Sequence, residues 1–353
     1  MSALRQLPYR QIYLALMLLL AMSLIASASI GTIVFTPLDI ATFLGEALGL
    51  SPTGPDVLNH NVFFLLRLPR VVLCGFTGAT LGVSGTLMQG LFRNPIVEPG
   101  LTGTSSGAAL GAAVVFVFGG TALSFASPLA TAGVPLLAFA CSFATTMIVY
   151  RLSTTFGRTE IFTLLLAGIA INAMCNAGTG FLSYIARDPQ ARNITFWNLG
   201  TFTTADWRGA LVVATAFAAC FMLALHHGKS LNALMLGEED ATYLGVEPDK
   251  LIFRLIVINT VMVSVATAMV GVIAFVGLVV PHLLRMIRSA DYTFLIPASA
   301  LLGALLMEIV DIVARLVIQP AELPIGIITA LLGAPFFLWI LILQRRAMGG
   351  SYG

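Results

Sequence analysis

Apolar residues run in long, almost unbroken stretches at 12–30, 62–88, 101–119, 129–150, 161–186, 207–225, 251–284, 293–317 and 323–343. Most are close to the ~20 residues that carry a helix across a bilayer. The stretch at 251–284 is too long for one crossing, because a helix of that length reaches about 50 Å against a ~30 Å hydrocarbon core. It is expected to break near Gly271 or Gly277, which makes ten spans and returns both termini to one side. The first run follows Arg5 and Arg10 and ends in Ala-Ser-Ala-Ser, a signal-peptide look, but its length is that of a retained span.

The polar interruptions carry the rest of the information. Between Leu81 and Gly107 the chain reads LGVSGTLMQGLFRNPIVEPGLTGTSSG. Arg93, Asn94, Pro95, Glu98 and Pro99 do not belong in hydrocarbon, whereas Gly103, Gly107 and Gly111 recur every four residues and form a small-residue stripe on one helix face. Two membrane helices are therefore expected to pack closely around a polar hinge made by Gln89, Arg93, Asn94, Pro95 and Pro99.

Composition agrees: hydrophobic residues are 58% of the chain and charged ones 10%, far below the roughly 25% of soluble domains. The fold class is an all-α polytopic membrane protein. A net charge of +2 with dispersed basic residues gives no case for nucleic acid. Cys74, Cys141, Cys175 and Cys220 lie inside apolar runs, and no His, Asp or Glu cluster has metal or catalytic spacing, so neither a metal site nor an active site is indicated. With the N-terminus inside, twelve of the basic residues fall on the inner side and six on the outer, as the positive-inside rule requires. The outer six are Arg67, Arg70, Arg187, Arg192, Arg208 and Arg315.

The hinge segment resembles the membrane subunits of the iron-chelate and cobalamin ABC importers, the FecCD-type permeases. Gln89, Asn94, Pro95 and Pro99 stand in the places of that family's Q-x-x-x-x-NP-x-x-x-P pattern. Three more stretches match in order: LRLPR at 66–70, GVIAFVGLVVPHLLR at 271–285 and DIVARLVIQPAELPIGIITALLGAPFFLW at 311–339. The resemblance implies one transmembrane permease domain over 1–353, with inverted-repeat-like packing, working as a homodimer in the bacterial inner membrane with both termini cytoplasmic. It implies three kinds of protein partner: a second copy, two ATP-binding cassette subunits and a periplasmic substrate-binding protein. It also implies that ATP and Mg²⁺ belong to the ATPase, so this chain binds no cofactor and is no enzyme.

The connection at 228–250 reads as two short helices. Glu238, Glu239 and Asp240 complement the dipole of the second, Gly237 precedes it and Gly245 stops it. Leu231, Leu234, Met235 and Leu236 form an apolar face that a solvated loop does not need. By resemblance this is the element that seats in the ATPase; the alternative is an interfacial helix pair. Gly228-Lys229-Ser230 imitates the end of a phosphate loop, but Leu223 stands where that loop needs glycine.

By resemblance Arg67, Arg70 and Arg315 meet acidic residues of the binding protein, a role suited to bidentate guanidiniums. The alternative is interfacial snorkelling with Asp311 satisfying Arg315 at i,i+4. Arg187 and Arg192 belong to YIARDPQARNITFWNLGTF at 184–202, where Pro189 is placed to open a short outer helix at 186–200. Asp188, Gln190, Arg192, Thr195-Phe196-Trp197 and Gly200 resemble the haem-importing branch, with Thr201 where Ser is usual. These arginines either attract an anionic chelate or solvate a loop. Asn172, Met174, Asn176 and Thr179 on the fifth span either line a translocation path or bond to neighbouring helices. The expected function is import of a large iron complex, haem first, then a ferric siderophore, with cobalamin third. The rival from another class is a proton-coupled carrier using Glu308 and Asp311.

Overall fold

The computed structural model describes residues 8–31, 33–49, 57–122, 128–288 and 290–349. The long helices are α1 (Tyr9–Ser29), α4 (Leu68–Leu91), α5 (Thr104–Ala122), α6 (Pro128–Leu152), α7 (Ile161–Ile185), α9 (Trp207–His226), α12 (Pro248–Val270), α14 (Tyr292–Leu316) and α15 (Ile325–Gly349). Shorter ones are α2 (Pro37–Ala47), α3 (Val57–Val62), α8 (Gln190–Asn198), α10 (Gly228–Leu234), α11 (Glu238–Tyr243) and α13 (Val276–Ile287). Among the described residues seven helices are long and apolar enough to cross a membrane, and three shorter apolar ones, Thr104–Gly119, Val276–Ile287 and Ile325–Trp339, bring the apolar helices to ten, the expected number.

One crossing runs unbroken from Val57 to Leu91 through a π-helical turn at Phe63–Arg67. Pro69 explains the turn. Its ring cannot share space with the carbonyl four residues earlier and it has no N–H to donate, so the helix widens by one residue and Leu68 N–H bonds back to Phe63 O. The periodicity of long apolar runs does not announce α2. Its signal is local: Thr36 caps the helix, Pro37 occupies its first turn, and Asp39 Oδ2 accepts Thr36 N–H at 2.8 Å.

Helix α4 lies at the centre of the bundle, and its glycines set how closely its neighbours approach. A Cβ on Gly78 would sit 2.2 Å from Gly303 O of α14, and one on Gly85 would sit 1.8 Å from Gly277 O of α13. Such backbone-to-backbone packing is how membrane helices associate without a hydrophobic driving force. Polar side chains join helices as well: Thr86 of α4 with Ser299 of α14 and Ser142 of α6 with Ser264 of α12, each at 2.6 Å, and Ser84 of α4 with Asn259 of α12. The small-residue stripe packs α5 on α6, since a Cβ on Gly107 or Gly111 would meet Thr145 Oγ1 at 2.2 Å or Leu137 O at 2.5 Å. Gly103 stands just before α5 with φ 91°, so it shapes the turn and is not part of the helical stripe. Gly85→Leu drives a side chain into the α13 backbone. It is expected to cost more than the ~1–3 kcal/mol of ordinary overpacking and to abolish recovery of folded protein from membranes.

The long apolar stretch breaks at the first of the two expected glycines. Helix α12 ends at Val270, Gly271 takes φ 79°, and Phe275 takes φ 69° before α13 begins. Thr201 N–H donates to Val270 O at 2.8 Å, and Phe275 N–H donates to Glu98 Oε1 at 2.8 Å. Neighbouring segments thus take up backbone groups that the break leaves free, as hydrocarbon depth demands.

Candidate functional site

The interrupted segment between α12 and α13 borders a polar cavity of about 300 Å³ lined by Glu98, Ser105, Ser106, Asn172, Asn176 and Asn198 together with Val272–Ala274. Asn172 Nδ2 donates to Gly100 O and Leu101 O at 3.3 and 3.2 Å, and Ser106 donates to Asn172 Oδ1. Glu98 Oε1 accepts Phe275 N–H at 2.8 Å and so ties the hinge to the break. Of the path residues expected on α7, the fold brings Asn172 and Asn176 into this cavity. Met174 projects from an exposed face, and Thr179 is buried and donates to Cys175 O of its own helix at 2.9 Å. Arg187 and Arg192 are exposed on the segment leading into and along α8. Glu98, Ser105, Ser106 and Asn198 were not singled out for the path in the sequence. Their polarity inside or beside apolar runs was the available signal, but only folding shows which polar residues share a cavity.

The hinge folds as a re-entrant turn. Gln89 is buried and its Nε2 faces Gly277 O and Leu278 O at 3.4 Å each, while Arg285 donates to its Oε1. Arg93, at φ 49°, pairs with Glu238 at 2.7 Å. Asn94 Oδ1 accepts Ile96 N–H at 3.0 Å, Pro95 is exposed, and Pro99 opens a 3₁₀ turn over Pro99–Thr102 against Gly277.

At the same end of the bundle α10 and α11 form the expected helix pair, with Glu238, Glu239 and Asp240 in the first turn of α11 and Gly245 at φ 81° just after it. The expected apolar face is corrected by the packing. Leu231 and Leu234 are fully buried within this chain, Leu231 against Gly90 of α4, so they hold the pair down. Met235 and Leu236 are exposed, and Tyr243 and Leu244 of α11 extend that apolar surface. Asn232 fixes the pair to the start of α14: its Nδ2 donates to Asp291 Oδ1 at 2.7 Å and its Oδ1 accepts Tyr292 N–H at 2.9 Å. Partial burial raises the Asp291 carboxyl, but hydrogen bonds from Asn232 and Thr293 outweigh it and hold the group below its ordinary value.

At the opposite end the three arginines form an internal network, not an exposed rim. Asp311, fully buried, accepts from Arg70 at 2.8 Å and pairs with Arg315 at 3.0 Å. Arg70 also reaches Glu322 at 2.9 Å. Arg315 donates to Ser27 O at 3.0 Å, and Arg67 donates to Ile30 O at 2.7 Å and Ile33 O at 3.2 Å. The guanidiniums therefore tie the end of α1 to α4 and α14, and the π turn is what aims Arg67 inward. All three still border a recess of about 230 Å³ with Glu322 and Gln319.

The bundle thus carries a polar pocket beside the break between α12 and α13 and an exposed apolar surface on α10 and α11 at one end. The hemin transport system permease protein HmuU of Yersinia pestis is 43% identical over 297 residues, covering 84% of this chain and 87% of that one. The cobalamin import system permease protein BtuC of Halobacterium salinarum is 37% identical over 276 residues, covering 78% and 72%. The solved structure of an inward-facing metal-chelate type ABC transporter superposes with TM-score 0.82 at 32% identity, covering 95% of this chain and 99% of that one. The FecCD transport family matches residues 18–343, and with relatives of this identity and coverage the chain is a member of that family of ABC importer permeases.

Proposed function

We propose that this chain, as a homodimer in the bacterial inner membrane, forms the path by which haem passes from a periplasmic binding protein to the cytoplasm. The α10–α11 end faces the cytoplasm and seats two ATPase subunits, and the Arg70–Glu322 end faces the binding protein. The observation that carries the reading is the broken α12–α13 backbone lining a polar cavity with Asn172, Asn176 and Glu98. Irregular backbone at membrane depth persists where it lines a cavity. Identity to the hemin permease favours haem over a ferric siderophore or cobalamin. ATP and Mg²⁺ act in the partner, and the permease supplies the conduit. The proton-coupled alternative has less to draw on, since Asp311 is committed to two arginines.

The test is uptake into vesicles holding the permease and its ATPase, with hemin, a ferric siderophore or cobalamin presented on cognate binding protein, and ATP inside or absent. ATP-dependent hemin uptake is expected, and uptake of cobalamin alone would overturn the substrate assignment. Replacing the exposed Arg187 and Arg192 by Gln is expected to slow hemin more than a neutral substrate, and more at low salt than at high, because screening shortens the reach of surface charge to about 10 Å at 0.1 M. An equal loss for both substrates would leave these arginines with a structural role.

A further inference from the structure

We propose that Arg285 is a positioning residue that couples the α10–α11 pair to the α12–α13 break, acting through Tyr292 on one side and Gln89 on the other. The inference rests on the permease reading above and names the residues by which its two ends communicate.

The connection is continuous. Tyr292 is fully buried, and its ring fills the space over Gly90, where a Cβ would stand 2.8 Å from Cε1. It receives Asn232 from α10 at its backbone N–H, and its hydroxyl faces Met235 Sδ at 3.6 Å. The same hydroxyl accepts Arg285 Nη2 at 3.3 Å, and the guanidinium lies 5.9 Å from the ring centroid. Arg285 reaches back along α13 and donates its other nitrogen to Gln89 Oε1. The opposite end of that amide holds the Gly277 and Leu278 carbonyls of the first α13 turn. Gly277 in turn leaves room for Pro99, and Glu98 holds Phe275 N–H at the cavity wall. A displacement of α10 has an unbroken route to the cavity.

Two features separate this route from static glue. Three of its links are long, at 3.3 to 3.4 Å, where hydrogen bonds are weak and easily exchanged; the arginine network at the opposite end runs mostly at 2.7 to 3.2 Å. Arg285 also has no carboxylate within ion-pair distance among the described residues, so no buried salt bridge locks it in place. Strained backbone marks both ends. Arg93 and Phe275 have φ 49° and 69°, a conformation that non-glycine residues adopt where the surroundings enforce it and that gathers at switch regions.

The experiment uses the complete complex of permease, ATPase and hemin-loaded binding protein in vesicles. Four quantities are read: co-purification of the ATPase, thermal midpoint, basal ATP hydrolysis, and binding-protein-stimulated hydrolysis with hemin uptake. Arg285→Gln is expected to leave the first three in place and to lower stimulated hydrolysis and uptake by roughly 5- to 150-fold, the usual range of coupling between sites. Gln89→Leu is expected to do the same, and the double variant to be no worse than the poorer single, because both interrupt one route. Tyr292→Phe, which removes one hydroxyl and keeps the packing, gives a smaller loss in the same two readouts and carries the test should Arg285→Gln not fold. Wild-type uptake in Arg285→Gln, losses that multiply in the double variant, or a thermal midpoint that falls in step with uptake would each overturn the coupling role alone. A wild-type complex that shows no ATP-driven uptake would overturn the permease reading and the coupling role with it.

Discussion

Asp311→Asn is expected to remove about 3–5 kcal/mol of stability, the cost of leaving buried charge without its partner. Asp311 is the only carboxylate that Arg70 and Arg315 share among the described residues, and it is fully buried. With an amide in its place Arg315 keeps the carbonyls of Ser27 and Ile30 but loses its countercharge, and Arg70 is left with Glu322. Removing the arginines has a different signature. Arg315→Ala unties the C-terminal end of α1 from α14, whereas Arg70→Ala also opens the recess beside Glu322. The measurement is the thermal midpoint of the detergent-solubilised permease beside binding-protein affinity. A drop in midpoint for Asp311→Asn and Arg315→Ala is expected. Unchanged midpoints with lost affinity would return these residues to a direct docking role.

The second large effect lies at the other end and divides residues that the linear pattern groups together. Leu236→Asp combined with Leu244→Asp places two charges on the exposed apolar surface, where each leucine offers roughly 1.5–3 kcal/mol of burial to a partner. The permease is expected to fold at normal yield and to lose its ATPase on co-purification. Leu234→Asp is expected to prevent folding itself, since it puts a carboxylate into a fully buried site; truncation of such a leucine alone costs about 2–5 kcal/mol. Co-purification of the ATPase with the folded double variant would remove α10–α11 as the seat of the partner.

The crossings were legible because each depends on a local property. A run of about twenty apolar residues satisfies its own backbone bonds and needs no partner to be stable in lipid. The break at Gly271, the α10–α11 pair with its acidic first turn, and the glycine contacts of α5 on α6 follow from similarly short-range chemistry. Helix α2 was missed, since it lies between the long apolar runs and only its Thr36 cap and Pro37 mark it.

Side-chain direction was not legible, because it is fixed by neighbours far away in sequence. Arg67 turns inward since Pro69 widens the helix before it and the free carbonyls of Ile30 and Ile33 wait there. Asp311 meets Arg70 from across 241 positions, and Arg285 finds Gln89 across 196. Leu234 and Leu236 share an apolar pattern, yet the helix turn between them points one at the core and the other outward. The sequence by itself determined which segments cross the membrane, where they break and which polar residues had to find shelter. Tertiary structure alone decided which shelter each one found, because a buried charge or amide is satisfied by whatever group packing brings within reach, and one strand of text does not encode that distance.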